Sequence, residues 1–192
     1  MRGSLFSREV VPFLLALAAL VVAALLIDAL LHAFNAVWVG RYLGIPGVLL
    51  IVGSFGYSLR IRKLISAGRP VQLLRLHERM AWAGSLLVLV HAGIHFNAIL
   101  AWLAIWAMLI NVGSGLTGKF LLERSRRRLE QTKQLMRQQG FSPEELEEHM
   151  YWDSLTFDAV KQWRVVHYPI TLAFAVLATA HIVSVFLFWG WK

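Results

Sequence analysis

Charged and apolar positions are sharply segregated along this chain. Residues 10 to 27, VVPFLLALAALVVAALLI, carry no charge, and residues 80 to 118 contain no Asp, Glu, Lys or Arg. The first run is long enough for one helical crossing of a bilayer, and the second for two crossings joined by a tight turn. TLAFAVLATAHIVSVFLFWGW adds a run near the C-terminus, and the shorter, glycine-rich YLGIPGVLLIVGSFGYSL (42 to 59) adds another. The pattern predicts five spans, at 10–31, 39–58, 73–95, 98–118 and 165–189. The expected fold is all-α: an integral membrane bundle of five transmembrane helices forming a single domain over residues 1–192.

Between the fourth and fifth spans, residues 119–164 hold too many charges to enter lipid and are expected to fold as a helical hairpin. LERSRRRLEQTKQLMRQQG reads as a helix stopped by Gly140. A second helix then starts at FSPEELEEHMYW, with Ser142 as N-cap, Pro143 in the first position and Glu145 completing a capping box. His149 in this segment reads as solvent-facing. The hairpin either docks a partner or lies on the membrane surface.

Composition supports the membrane reading, since a hydrophobic content of 58% exceeds that of an ordinary soluble domain. The net charge of +8 would suggest nucleic acid in a soluble protein, but its placement follows topology. Arg60, Arg62, Lys63, Arg69 and Arg75 lie between spans two and three, and a second basic cluster from Lys119 to Arg137 follows span four, whereas Arg41 alone lies between spans one and two. This bias places the N-terminus and the 119–164 hairpin in the cytoplasm and the C-terminus outside. A bacterial-type inner (plasma) membrane, crossed several times, is the expected location; membrane lipid is an expected partner and nucleic acid is not. Arg2 and Arg8 before the first run imitate a secretory signal, but the run is long and has no clean cleavage site, so it is expected to remain as a span. With no cysteine, thiolate metal sites, cysteine-ligated iron–sulfur clusters and covalent haem attachment are excluded within this sequence.

The chemistry sits in the histidines. LHERMAWAGSLLVLVHAG holds His77 and His91, and VHYPITLAFAVLATAHIV holds His167 and His181, each pair separated by fourteen residues. Fourteen residues bring a helix back to nearly the same face after an advance of about 21 Å. With one return span between them, helices three and five run in the same direction. His77 then faces His167 near the cytoplasmic surface, and His91 faces His181 at a deeper level. An imidazole in a low-dielectric bundle is costly unless its nitrogens are satisfied. One iron satisfies two such rings, each offering one nitrogen axially while the other binds a carbonyl or hydroxyl. Two non-covalent b-type haems, ligated by His77, His91, His167 and His181, are therefore expected. The bland alternative is four histidines hydrogen-bonded within a bundle. Zinc is disfavoured, since each level offers two ligands where a structural site wants four. Gly84, midway between His77 and His91, is a candidate for giving a porphyrin room, and Phe174, the midpoint of the other pair, for packing between two cofactors. Arg75, Arg79 and Arg164 are candidate partners for propionates, with topology as an equal explanation.

These two segments resemble the third and fifth helices of the ferric reductase-like transmembrane domain, shared by ferric reductases and NADPH oxidases. More distantly, they resemble the haem-binding half of cytochromes b and b6. The resemblance implies axial ligation by the same four histidines. Ferric reductases and NADPH oxidases continue into flavin and nicotinamide domains, and cytochromes b carry a Pro-Glu-Trp-Tyr quinol-site motif; neither is found here. The chain is thus expected to be an electron-transfer subunit of a larger oxidoreductase complex.

A one-electron wire in a membrane must meet a two-electron carrier, and quinone is the common mobile one. Apart from Glu78 at the cytoplasmic entry of helix three, Asp28, near the outer end of the first span, is the only acidic residue within a predicted span, and His32 lies one turn later on the same face. At a similar depth stands His95, one turn after His91. These three form either a quinol-oxidising site facing outside or an interfacial ion pair beside a wet loop histidine. The expected function is electron transfer between the quinone pool and a periplasmic redox partner. The alternatives are a conduit fed by a separate cytoplasmic flavoprotein and a haem-free membrane anchor. Among smaller features, the Gly40, Gly44, Gly47 series permits close helix contact, Asn111 is suited to a hydrogen bond across helices, and Trp102 and Trp106 read as interfacial anchors.

Overall fold

The computed structural model describes residues 11–93, 99–118, 123–142, 145 and 151–188, and among them all regular structure is helical. The order is α1 (Val11–Ala33), α2 (Val37–Tyr42), α3 (Gly44–Ser54), α4 (Gly56–Ile61), α5 (Pro70–Gly93), α6 (Ile99–Thr117), α7 (Glu123–Gln138) and α8 (Tyr151–Phe188). Four stretches are long and apolar enough to cross a membrane: Val11–Ala33, Val37–Ile61, Ile99–Thr117 and Val165–Phe188. The expected third crossing is absent from that set. Its helix, α5, has 24 residues, enough to span, but Arg75, Glu78 and Arg79 occupy its first half. Length and composition therefore give a multi-pass bundle with four apolar crossings.

The second crossing is segmented. Pro46 has no amide hydrogen to return to the Tyr42 carbonyl, so the helical ladder is interrupted one turn before it, at Leu43. The second interruption falls at Phe55, between Gly53 and Gly56, where glycine makes the helix easy to tighten. Both residues remain in the right-handed helical region, with ψ of −19° and −10°. The chain therefore continues in one direction from Val37 to Ile61 as one rod with two tightened turns.

Three helices end in the same hydrogen-bonded motif. After α1, Asn35 takes φ 53°, its amide donates to the His32 carbonyl, and that of Ala36 donates to the Leu31 carbonyl. After α4 and α7 the same pair of bonds closes around Lys63 and Gly140, whose φ values are 59° and 86°. This doubly bonded left-handed ending satisfies carbonyls that the helix leaves unpaired. Past Gly140, the Ser142 amide donates to the Glu145 carboxylate at 2.8 Å and the Glu145 amide donates to the Ser142 hydroxyl at 3.3 Å. Those reciprocal bonds are the capping box expected from the sequence.

The hairpin's second arm differs from expectation in one respect. Rather than ending before a separate fifth span, helix α8 runs unbroken for 38 residues with Pro169 inside it. A length of about 57 Å exceeds a hydrocarbon core of about 30 Å, so the first turns of α8 belong to the hairpin and the rest to the bundle.

Packing is by small residues. The most extensive backbone contacts join α3 to α5 and α6 to α8, while α1 lies against α5 and α6. An added Cβ at Gly84 would sit 2.8 Å from the Gly47 carbonyl oxygen, and one at Gly47 would sit 3.1 Å from the Gly84 carbonyl oxygen. The α3 and α5 backbones therefore touch where neither residue has a side chain. Ser54, Ser85 and Ser114 are buried, whereas large apolar residues such as Leu15, Leu25, Leu172 and Phe186 are mostly exposed. Small residues at the closest helix contacts, with Leu20, Val90, Met108 and Phe174 buried beside them and many other bulky apolar residues facing outward, suit helices that associate in lipid.

Lys63 is held in a conformation that penalises a side chain by roughly 1–2 kcal/mol. Lys63→Gly should raise the thermal midpoint in detergent, and Lys63→Val should lower it; a melting series over the two variants and the parent checks the ordering.

Candidate functional site

Helix α5 presents its two histidines to the segmented crossing. His77 Nδ1–H donates to the Ser54 carbonyl at 2.9 Å, and His91 Nδ1–H donates to the Gly40 carbonyl at 3.3 Å. The acceptors are fourteen residues apart, as are the donors, and they run in the opposite order. Two antiparallel helices with matched spacing thus hold both imidazoles in one register. Each acceptor stands beside a tightened turn: Ser54 is the last residue of α3 and Gly40 precedes Leu43 by three. Gly44 gives His91 its place, since a Cβ there would come within 2.9 Å of the ring's Cδ2. Tyr57 lies beside His77, with ring centroids 6.0 Å apart.

A carbonyl can only accept. Nδ1 therefore carries the proton of the neutral His77 and His91 rings, which makes Nε2 the lone-pair nitrogen in both. This is the tautomer in which a histidine ligates iron or zinc through Nε2 while a backbone carbonyl orients it.

The second pair stands on α8. The His167 Nδ1 is hydrogen-bonded to the Ser114 hydroxyl of α6, again leaving Nδ1 as the ring's anchoring atom. One turn later, the Thr171 hydroxyl reaches both the His167 carbonyl and Asn111 Oδ1, each at 2.8 Å. Asn111 thus makes the cross-helix bond expected of it. These contacts set α6 and α8 antiparallel and fix the α8 register at His167. His181 is half-buried fourteen residues further on, and the Ser184 hydroxyl donates to its carbonyl at 2.7 Å.

The two pairs are anchored separately, His77 and His91 on the segmented crossing and His167 on α6. Helices α5 and α8 are not closely packed backbone to backbone; each leans on its own neighbour, α3 or α6. All four histidines are half-buried. Among the described residues no three His, Asp or Glu side chains gather as a metal cluster.

The remaining candidates fall in different places. Gly84 spends its missing side chain on the Gly47 contact with span two. Phe174 is buried, at 7% exposure. Arg75 and Arg79 are exposed on α5, and the Arg164 side chain lies outside the described residues. The Arg62 guanidinium lies 5.3 Å from the ring centroid of Tyr168, the residue that follows His167. Sequence reading passed over Arg62, Ser114 and Tyr57. Arg62 is one of several basic loop residues there, and a serine within an apolar run carries no mark of its partner.

At the opposite end of the bundle, His32 Nδ1 approaches the Asp28 backbone carbonyl at 2.9 Å and the Asp28 carboxylate at 3.7 Å. His32 is exposed and Asp28 is half-buried. His95 lies outside the described residues.

Comparison with protein-family models, with curated proteins and with solved structures gives no match for this chain.

The tautomers are directly observable. In 15N-histidine spectra of the haem-free chain at a pH where the rings are neutral, His77 and His91, assigned by single His→Gln variants, should show a protonated Nδ1 and an unprotonated Nε2. The reverse pattern would remove the carbonyl anchors.

Proposed function

We propose that the chain is the membrane subunit of an oxidoreductase complex, holding two b-type haems that carry electrons between the quinone pool and a periplasmic redox partner. The observation that carries this reading is the matched register of His77 and His91 on the Ser54 and Gly40 carbonyls. Four imidazoles in a membrane bundle need a reason to be there, and two of them are held in the tautomer that ligation requires.

In this reading helix α5 is the remaining crossing, which makes five, with the N-terminus cytoplasmic and the C-terminus outside. His77 and His167 would hold the inner haem, and His91 and His181 the outer. A bound haem supplies a one-electron iron couple. The protein's part is to position it. Carbonyls of span two orient the α5 rings, Ser114 orients His167, and Arg62, with Arg75 and Arg79 nearby, supplies positive charge at the inner level for propionates. At the outer face, Asp28 and His32 would be the groups placed to take a proton from a quinol as it is oxidised.

The purified chain should be red, with a b-type alpha band on dithionite reduction and two haems per chain by pyridine haemochrome. His77→Ala and His167→Ala should each remove the same spectral component, and His91→Ala and His181→Ala the other. A colourless protein, or four variants with unchanged haem, overturns the assignment.

Orientation has its own check in a chain without native cysteine. Single cysteines at Ser66 and at Asn35 should label from opposite sides of intact membrane vesicles, Ser66 from the cytoplasmic side. Labelling of both from one side would rule out this topology.

A further inference from the structure

Asp28 is the half-buried carboxylate of an otherwise apolar crossing, and its surroundings form a pocket. A cavity of about 130 Å³ opens between α1 and α5, lined by Val21, Ala24, Leu25, Asp28, Leu89 and Gly93. Apart from Asp28 every lining side chain is apolar or absent. Leu25, at the rim, is 64% exposed on a helix that faces lipid. The floor is made by Gly93: a Cβ there would lie 3.3 Å from the Asp28 Cγ and Oδ1, so the missing side chain lets the carboxylate lie against α5. Asp28 Oδ2 faces His32, but Oδ1 is shielded from solvent and has no hydrogen-bond partner among the described residues.

A shielded carboxylate oxygen without a donor costs free energy that a bound donor would recover. Asp28 itself lines the cavity, so an occupant there meets its carboxyl group. The occupant must arrive through lipid, present apolar surface to both helices and offer a hydroxyl. A lipid phosphate brings further acceptor oxygens where Asp28 lacks a donor. We infer that the groove between α1 and α5 binds the head group of a quinol, one of whose phenolic hydroxyls donates to Asp28 while Ala24, Leu89 and Gly93 flank the ring. This rests on the electron-carrier reading and deepens it, since Gly93 is two residues from His91 on the same helix and the groove therefore adjoins the outer haem level.

The test uses the full chain in nanodiscs with a short-chain quinone and its quinol. Leu25→Cys, labelled with an environment-sensitive fluorophore, should show saturable quenching on titration with the quinone. Quenching that rises linearly without saturation would show partition into lipid alone and overturn the site. On the labelled background, Gly93→Leu should weaken binding of both forms at least tenfold, and Asp28→Ala should weaken the quinol at least tenfold, read from its displacement of the quenching quinone, because only the quinol carries a hydroxyl to donate. In the unlabelled chain the same changes should slow haem reduction by quinol in parallel, with dithionite-reducible haem content unchanged. Wild-type binding in both variants overturns the proposal. A Gly93→Leu chain that loses its fold leaves the Leu25→Cys titration and Asp28→Ala to decide. A colourless chain with saturable quenching and Asp28-dependent displacement by quinol would sink the haem reading and keep the groove, whereas a red chain without saturable quenching would do the reverse.

Discussion

An imidazole inside a lipid-embedded bundle has two nitrogens and no water to satisfy them, and the arrangement of this protein follows from how that demand is met. A regular helix consumes its own carbonyls and has little to offer. The second crossing instead tightens twice, near Leu43 and at Phe55, and beside those turns the Gly40 and Ser54 carbonyls accept from His91 and His77. The two acceptors thus stand beside the tightened turns, at the spacing of the donors.

The same crossing must come close for these bonds to form, and lipid gives no hydrophobic push between helices. Gly44, Gly47 and Gly84 allow the approach. The consequence is an inside-out distribution: serines and glycines at the contacts, leucines and phenylalanines around the rim. On the other half, Ser114, Asn111 and Thr171 perform with side chains what span two performs with backbone.

Much of this was legible beforehand. The four apolar crossings, the Gly140 stop and the Ser142/Glu145 capping box rest on local rules of polarity, left-handed endings and reciprocal capping that tertiary contacts do not override. The common spacing of the histidine pairs was equally plain, because helical periodicity alone puts such residues on one face. What escaped notice depends on partners distant in sequence. Nothing in YLGIPGVLLIVGSFGYSL says that its carbonyls will serve histidines on another helix, and nothing singles out Arg62 among five basic loop residues. Gly84 was read as space for a cofactor, but its neighbour is Gly47. Continuity of α8 through Pro169 was hidden by the change in polarity at Val165, which marks a membrane boundary and not a helix boundary.

The mirrored intervals, residues 40 to 54 and 77 to 91, act as a pair of rulers laid against each other. Losing one residue from either would turn one imidazole by about 100° and part it from its acceptor, while the other stayed in place. Insertions and deletions tolerated by descendants of this sequence are accordingly confined to the connections between helices, or must occur in both rulers at once.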